Sequence, residues 1–78
     1  MYTEHENPET LLRDALAESG QRYTEQRAAV FRFLRSTEAH PTADEVFFHV
    51  RRDIPGISLA TVYKSLETLV GCGLATKL

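Results

Sequence analysis

The chain has 78 residues, of which 42% are hydrophobic and 26% are charged, and its formal net charge is −2. This length suits one small domain of short helices and excludes a large enzyme core with its own cofactor pocket. The composition excludes a disordered or fibrous chain, and no apolar run is long enough to span a membrane. The sequence therefore predicts a soluble, cytoplasmic binding module.

Charge is distributed unevenly along the chain. Residues 1–19 contain five acidic residues and one basic residue, whereas residues 20–78 contain eight basic and six acidic residues. The acidic total argues against a nucleic-acid partner, but the larger segment is mildly basic. The single cysteine, Cys72, excludes an intrachain disulfide and a zinc site of paired thiolates, and we expect it to be a small buried hydrophobe.

The first predicted helix follows a short polar tail. Residues 1–7 are expected to be flexible. Asn7 followed by Pro8 is a typical helix start, and the apolar spacing predicts a helix from about residue 8 to 19. Gly20 then stands where a left-handed residue commonly ends a helix.

Two more helices are predicted in the middle of the chain. Thr24 caps a helix over about 25–36, in which Arg27 lies on the apolar stripe and is expected to pair with a carboxylate. The segment 42–45 reads Thr-Ala-Asp-Glu, a capping box that begins a third helix at Ala43. This helix has to end before Asp53, because Pro55 excludes the residue before it from helical geometry.

The fourth helix is predicted over about 58–72, with Ser58 as its cap and glycines at its end. One face carries the apolar residues expected to be buried: Leu59, Val62, Leu66, Leu69 and Val70. The opposite face carries small and polar residues: Ala60, Thr61, Lys64 and Thr68. Residues 74–78 are predicted to form a short strand.

The third and fourth helices, with a short glycine-containing turn between them, have the layout of a helix-turn-helix motif, whose second helix enters the DNA major groove. Small residues such as Ala60 and Thr61 allow close approach, and Thr61 and Ser58 can donate to phosphate oxygens. Lys64 can reach guanine or phosphate, and Tyr63 lies at the edge of the buried stripe. The same periodicity is equally typical of plain helix packing.

Three strings of residues in order, at 20–27, 40–46 and 57–64, resemble the successive signatures of the ferric uptake regulator (Fur) family. The resemblance covers nearly the whole chain. It implies a mostly α winged helix-turn-helix domain over 8–78, made of four helices and a truncated β-wing. It also implies the DNA-binding part of a bacterial metal- or peroxide-responsive repressor.

The resemblance also implies which residues contact DNA. Tyr63 and Lys64 would contact bases in the major groove, with Thr61 and Ser58 on the backbone. Arg22 would reach an A·T-rich minor groove, whose negative potential suits a guanidinium. Many members have arginine or asparagine at the position of Lys64, and lysine cannot read guanine bidentately. The implied partner is A·T-rich palindromic duplex DNA.

Metal binding is implied only for the intact protein. His40 matches a histidine that joins ligands from a second domain, and imidazole suits iron, zinc, manganese or nickel alike. The resemblance implies that this dimerisation and metal-sensing domain is absent from the chain. We therefore expect no cofactor in the 78 residues, a monomeric fragment, and a homodimer in the full-length protein.

Two alternatives compete with DNA binding. The first is a winged-helix module that binds a protein; the acidic total charge favours it, as does Phe48, which lies about 150° from the centre of the third helix's stripe and is expected to be exposed. The second is an enzyme, which the sequence does not favour because no phosphate-binding loop, paired carboxylates or nucleophile triad is present. His5 and His49 are expected to be surface residues.

Overall fold

The computed structural model describes residues 7–76, and this part of the chain consists of four α-helices: α1 (Pro8–Glu18), α2 (Glu25–Ser36), α3 (Ala43–Val50) and α4 (Leu59–Gly71). All four predicted helices are confirmed within one or two residues at their ends. None of the helices in the described residues is long and apolar enough to cross a membrane. The expected flexibility of the tail concerns residues that, except for Asn7, lie outside the described range.

Local side-chain chemistry sets where the helices begin. Asn7 accepts a hydrogen bond from the Glu9 amide at 2.7 Å, and Thr24 accepts one from the Arg27 amide at 3.1 Å. The predicted capping box is also confirmed, because Thr42 and Glu45 each accept a hydrogen bond from the other's backbone N–H. These bonds satisfy amides that have no partner inside the helix.

Helix α2 is the centre of the packing. It contacts α1, α3 and α4, and α3 also packs on α4, whereas α1 contacts no other helix in the described structure than α2. The core consists of apolar side chains from all four helices and one loop: Leu12, Leu16, Ala28, Ala29, Val30, Phe31, Ala43, Val46, Val50, Ile57, Val62, Leu66 and Leu69. Burial of this apolar area supplies the main stabilising free energy.

The predicted buried face of α4 is correct at its centre and wrong at one edge. Val62, Leu66 and Leu69 are buried as predicted, whereas Leu59 is 36% exposed and Val70 is half-buried. At about 100° per residue, Leu59 lies about 70° from the centre of the buried stripe. Being also in the first turn, it lies at the margin of the interface with α2 and α3.

The predicted wing strand is not confirmed. Leu74, Ala75 and Thr76 follow α4 as a bend and irregular chain, and no β-strand is present among residues 7–76. Residues 77 and 78, which belong to the same prediction, lie outside the described range. The architecture observed is therefore mostly helical, with the helix-turn-helix order of α3 and α4.

Replacing Thr42 with alanine should lower the free energy of unfolding by about 0.5 to 2 kcal/mol, because the Glu45 amide would lose its capping acceptor. Urea denaturation of the variant and the parent chain measures this difference. Thr76→Ala, at an exposed position outside the helices, is the matched control and should change stability by less than about 0.5 kcal/mol. Equal losses in the two variants would contradict the capping role.

Candidate nucleic-acid interface

Helix α4 exposes one continuous polar face. Ala60 and Lys64 are exposed, Thr61 is half-buried, and Tyr63 is 51% exposed. At about 100° per residue these four positions share an arc of about 160°. Ser65, about 40° beyond Thr61, is buried with the apolar stripe. The structure thus brings four of the sequence-predicted residues together on the first two turns of one helix.

The start of α4 is organised by two hydroxyl groups. Ser58 Oγ accepts a hydrogen bond from the Thr61 amide at 3.1 Å and donates one to Thr61 Oγ1 at 3.0 Å. The hydroxyl proton of Thr61 has no acceptor within residues 7–76. Thr61 can therefore donate to an external oxygen without breaking the cap, whereas Ser58 would first have to release Thr61.

The N-terminus of α4 differs in charge from the other helix starts. Helices α1, α2 and α3 each carry an acidic residue in the first turn, and α4 carries none. The partial positive charge of this helix end is therefore not neutralised locally, which favours an anion. Lys64, one turn further on, has no carboxylate within 4 Å in the described part of the chain.

Arg22 lies outside α4, in the loop between α1 and α2. Its side chain is exposed, and its backbone carbonyl accepts a hydrogen bond from Arg27 Nη1 at 2.6 Å. Within residues 7–76 the prediction that Arg27 pairs with a carboxylate is not confirmed: Arg27 donates to a backbone carbonyl five residues earlier and has no carboxylate within 4 Å. The loop carbonyl that needs a donor is satisfied in this way.

Tyr23, the residue after Arg22, is hydrogen-bonded through its side chain to helix α1. The Tyr23 hydroxyl donates a hydrogen bond to the Glu9 carboxylate, and the Arg13 guanidinium lies 3.9 Å from the centre of the Tyr23 ring. Glu9 also lies 3.4 Å from Arg13 Nη2 and 3.7 Å from Arg32 Nη1. We call Glu9, Arg13, Tyr23 and Arg32 the Glu9 cluster.

The protonation state of Tyr23 follows from this cluster. The hydrogen bond to Glu9 raises the pKa of Tyr23 above its ordinary value of 10.0, with desolvation and the negative charge of Glu9 acting in the same direction. The Tyr23 hydroxyl therefore keeps its proton at neutral pH and remains the donor.

His40 lies in a third place, in the loop between α2 and α3. It is exposed and lines a groove of about 200 Å³ together with Glu38, Pro41 and Leu74, among others. The exposed imidazole is free to bind a metal ion as one ligand. Residues 7–76 contain no group of three His, Cys, Asp or Glu side chains that could complete such a site.

An aromatic and basic patch lies at the end of α3. Phe48 is 48% exposed, which confirms the prediction from periodicity, and the guanidiniums of Arg51 and Arg52 lie 5.1 and 5.4 Å from its ring centre. His49 is exposed as predicted and stacks on Phe33 at 4.6 Å. Cys72, expected to be buried, is only half-buried.

The Glu9 cluster was not predicted from the sequence. Tyr23 lies in the loop before α2, and its hydrogen-bond partner lies 14 residues earlier in the chain. The signal that could have suggested part of it is the i,i+4 spacing of Glu9 and Arg13, which favours an ion pair on one helix face.

Comparisons with known proteins agree on one family. The model of the ferric uptake regulator family matches residues 18–78. The peroxide-responsive repressor PerR of Staphylococcus aureus is 40% identical over 75 residues in strains USA300, NCTC 8325 and MRSA252, covering 96% of this chain and 49% of each relative. The chain thus spans about half the length of the curated relatives it matches, and no solved structure was found to match it. Since the family model covers most of its residues, the chain belongs to the ferric uptake regulator family.

Proposed function

We propose that this chain is the sequence-specific DNA-binding domain of a bacterial metal- or peroxide-responsive transcriptional regulator, and that α4 is its recognition helix. The observation that carries the proposal is the polar face of α4 together with a helix start that has no acidic residue. The N-terminus of such a helix attracts phosphate, and the small side chains of its first turn let the helix approach the base edges. A regulator of this kind acts in the cytoplasm and has no enzymatic activity.

The proposed contacts divide between bases and phosphates. Ala60, Tyr63 and Lys64 face the major groove, where Lys64 can donate to guanine acceptors or to a neighbouring phosphate. Thr61 donates its free hydroxyl proton to a phosphate oxygen next to the helix N-terminus. Ser58 can donate to the same phosphate region once its proton is released from Thr61 Oγ1, while its Oγ still accepts from the Thr61 amide as the cap.

Arg22 is proposed to enter the adjacent minor groove. A·T-rich DNA has a narrow minor groove with enhanced negative potential, and an exposed guanidinium on a loop can insert into it. The proposed target is therefore an A·T-rich palindrome.

We also propose that the segment after α4 contributes the first wing strand of a winged helix, formed when it pairs with a second strand.

The length of the relatives motivates the proposals about assembly and metal. In a protein of that length, we propose a homodimer whose two α4 helices read two half-sites one helical turn apart or a multiple of it. His40, exposed beside Leu74, would supply one ligand for a divalent iron, zinc, manganese or nickel ion, and the other ligands would come from outside this sequence. The 78 residues alone are expected to be monomeric and to bind no metal.

The competing function is a protein-binding module centred on Phe48, Arg51 and Arg52. The dependence of the binding constant on salt concentration distinguishes the two functions. With a duplex that the chain selects from a randomised pool, the logarithm of the binding constant should fall linearly with the logarithm of salt concentration, by about 0.9 per phosphate contact. Fluorescence anisotropy measures this dependence.

A duplex of the same composition in scrambled order is the control. We expect it to bind more weakly than the selected duplex at each salt concentration, because base contacts distinguish the two while phosphate contacts do not. Equal binding to both duplexes would contradict sequence-specific recognition. Absence of binding at low salt would contradict DNA binding by this chain and favour the protein-binding module.

A further inference from the structure

The loop that carries Arg22 is held in place on both sides. Before it, the Gln21 amide donates to the Leu16 carbonyl at 2.8 Å, and Gly20 adopts a φ of 72° that turns the chain away from α1. After it, Arg27 binds the carbonyl of Arg22, and Thr24 begins α2. The backbone of Arg22 thus has little freedom.

The Glu9 cluster adds the only side-chain hydrogen bond from this loop to α1 in the described structure. Tyr23, the neighbour of Arg22, donates to Glu9 on the first turn of α1, and Glu9 is itself held by Arg13 and by Arg32 of α2. Tyr23 is also covered on one ring face by Arg13. Rotation of Tyr23 away from α1 would therefore break a hydrogen bond to a charged group and a cation–π contact.

The Arg22 side chain makes no hydrogen bond or ion pair within residues 7–76. The region that its guanidinium can reach in solution is therefore set by the position of the backbone that carries it. A long side chain on a mobile loop loses more conformational entropy on binding than one on a fixed loop, so a fixed loop raises affinity without a new contact.

We propose that Glu9 and Tyr23 are positioning residues for the contact of Arg22 with the minor groove. Neither side chain contacts DNA; the Tyr23–Glu9 hydrogen bond ties the Arg22 loop to α1 and so fixes the direction from which Arg22 approaches the duplex. This inference rests on the proposed function, because it assumes that Arg22 contacts DNA.

The test is a double-mutant cycle on DNA affinity. Arg22→Ala should weaken binding to the selected duplex by about tenfold, and Tyr23→Phe, which removes only the hydroxyl, by about threefold. In the Arg22→Ala background, Tyr23→Phe should have almost no further effect. A duplex whose flanking A·T pairs are replaced by G·C pairs places the guanine amino group in the minor groove, so there Tyr23→Phe should leave affinity unchanged.

Glu9 provides a conservative variant and a disruptive one. Glu9→Gln retains an oxygen that can accept from Tyr23, and it should preserve the preference for A·T over G·C flanks. Glu9→Ala removes the acceptor and should reduce this preference by about threefold, as Tyr23→Phe does. Circular dichroism confirms the helical content of each variant before its affinity is measured.

Each outcome is decisive. If Arg22→Ala weakens binding and Tyr23→Phe does not, the positioning role is overturned while the proposed function stands. If Tyr23→Phe weakens binding equally on both duplexes, or still does so without Arg22, the hydroxyl acts on general stability and the inference is also overturned. If Arg22→Ala changes nothing, the minor-groove contact itself fails and the positioning role falls with it.

Discussion

Replacing Leu69 with alanine should lower the free energy of unfolding by about 2 to 5 kcal/mol. Leu69 is fully buried on the face of α4 that packs on α2 and α3, so truncation removes apolar contacts and leaves a cavity. A domain of this size has a total stability at the low end of about 5 to 15 kcal/mol, so this loss is a large part of the whole. Urea denaturation, with an unchanged m-value, measures it.

The matched control is the same leucine-to-alanine substitution at Leu59, at the margin of the buried face of α4. Leu59 is 36% exposed, and Leu59→Ala should cost clearly less than Leu69→Ala, because water can enter the released space and no closed cavity is left. The two variants remove the same atoms from sites of different burial, so the difference between their free energies of unfolding reports the effect of burial. A loss at Leu59 as large as that at Leu69 would mean that α4 is rotated relative to its position here, with Leu59 pointing into the core.

The helices could be predicted from the sequence because the signals that begin and end them are local. In a capping box the threonine and the glutamate each accept a hydrogen bond from the other's amide, and this does not depend on the position of the rest of the chain. Thr42 and Glu45 form such a pair here. The positive φ of Gly20 follows from the same local chemistry. The edge of an apolar stripe is different, because the exposure of Leu59 depends on how far the partner helices extend.

The candidate site was predictable to the extent that it lies on one helix. The polar face around Thr61, Tyr63 and Lys64 follows from the 3.6-residue period alone. Arg22 and His40 were assigned from resemblance, because no periodicity links two loops to a helix. The bond between Tyr23 and Glu9 escaped prediction because it joins residues far apart in the chain, and the donor to the Arg22 carbonyl, Arg27, was assigned a carboxylate instead.

The exposure of Tyr63 and Lys64 makes α4 testable without disturbing the core. Tyr63→Ala and Lys64→Ala should each weaken binding to the selected duplex by about 1 to 3 kcal/mol, while urea denaturation shows a stability within about 1 kcal/mol of the parent chain. Both side chains project from the polar face and neither belongs to the buried cluster. A loss of affinity therefore reports on contact with DNA.

The Lys64→Ala variant should also show whether Lys64 contacts a phosphate or a base. If Lys64 binds a phosphate, Lys64→Ala lowers affinity for selected and scrambled duplexes equally and reduces the salt slope by about one unit; if it reads a base, the preference between the duplexes falls instead. Arg35→Ala, which removes a positive charge from the last turn of α2, is the control and should have a much smaller effect. Should Arg35→Ala weaken binding as much as Lys64→Ala, affinity would depend on total charge alone, and the docking of α4 in the major groove would be wrong.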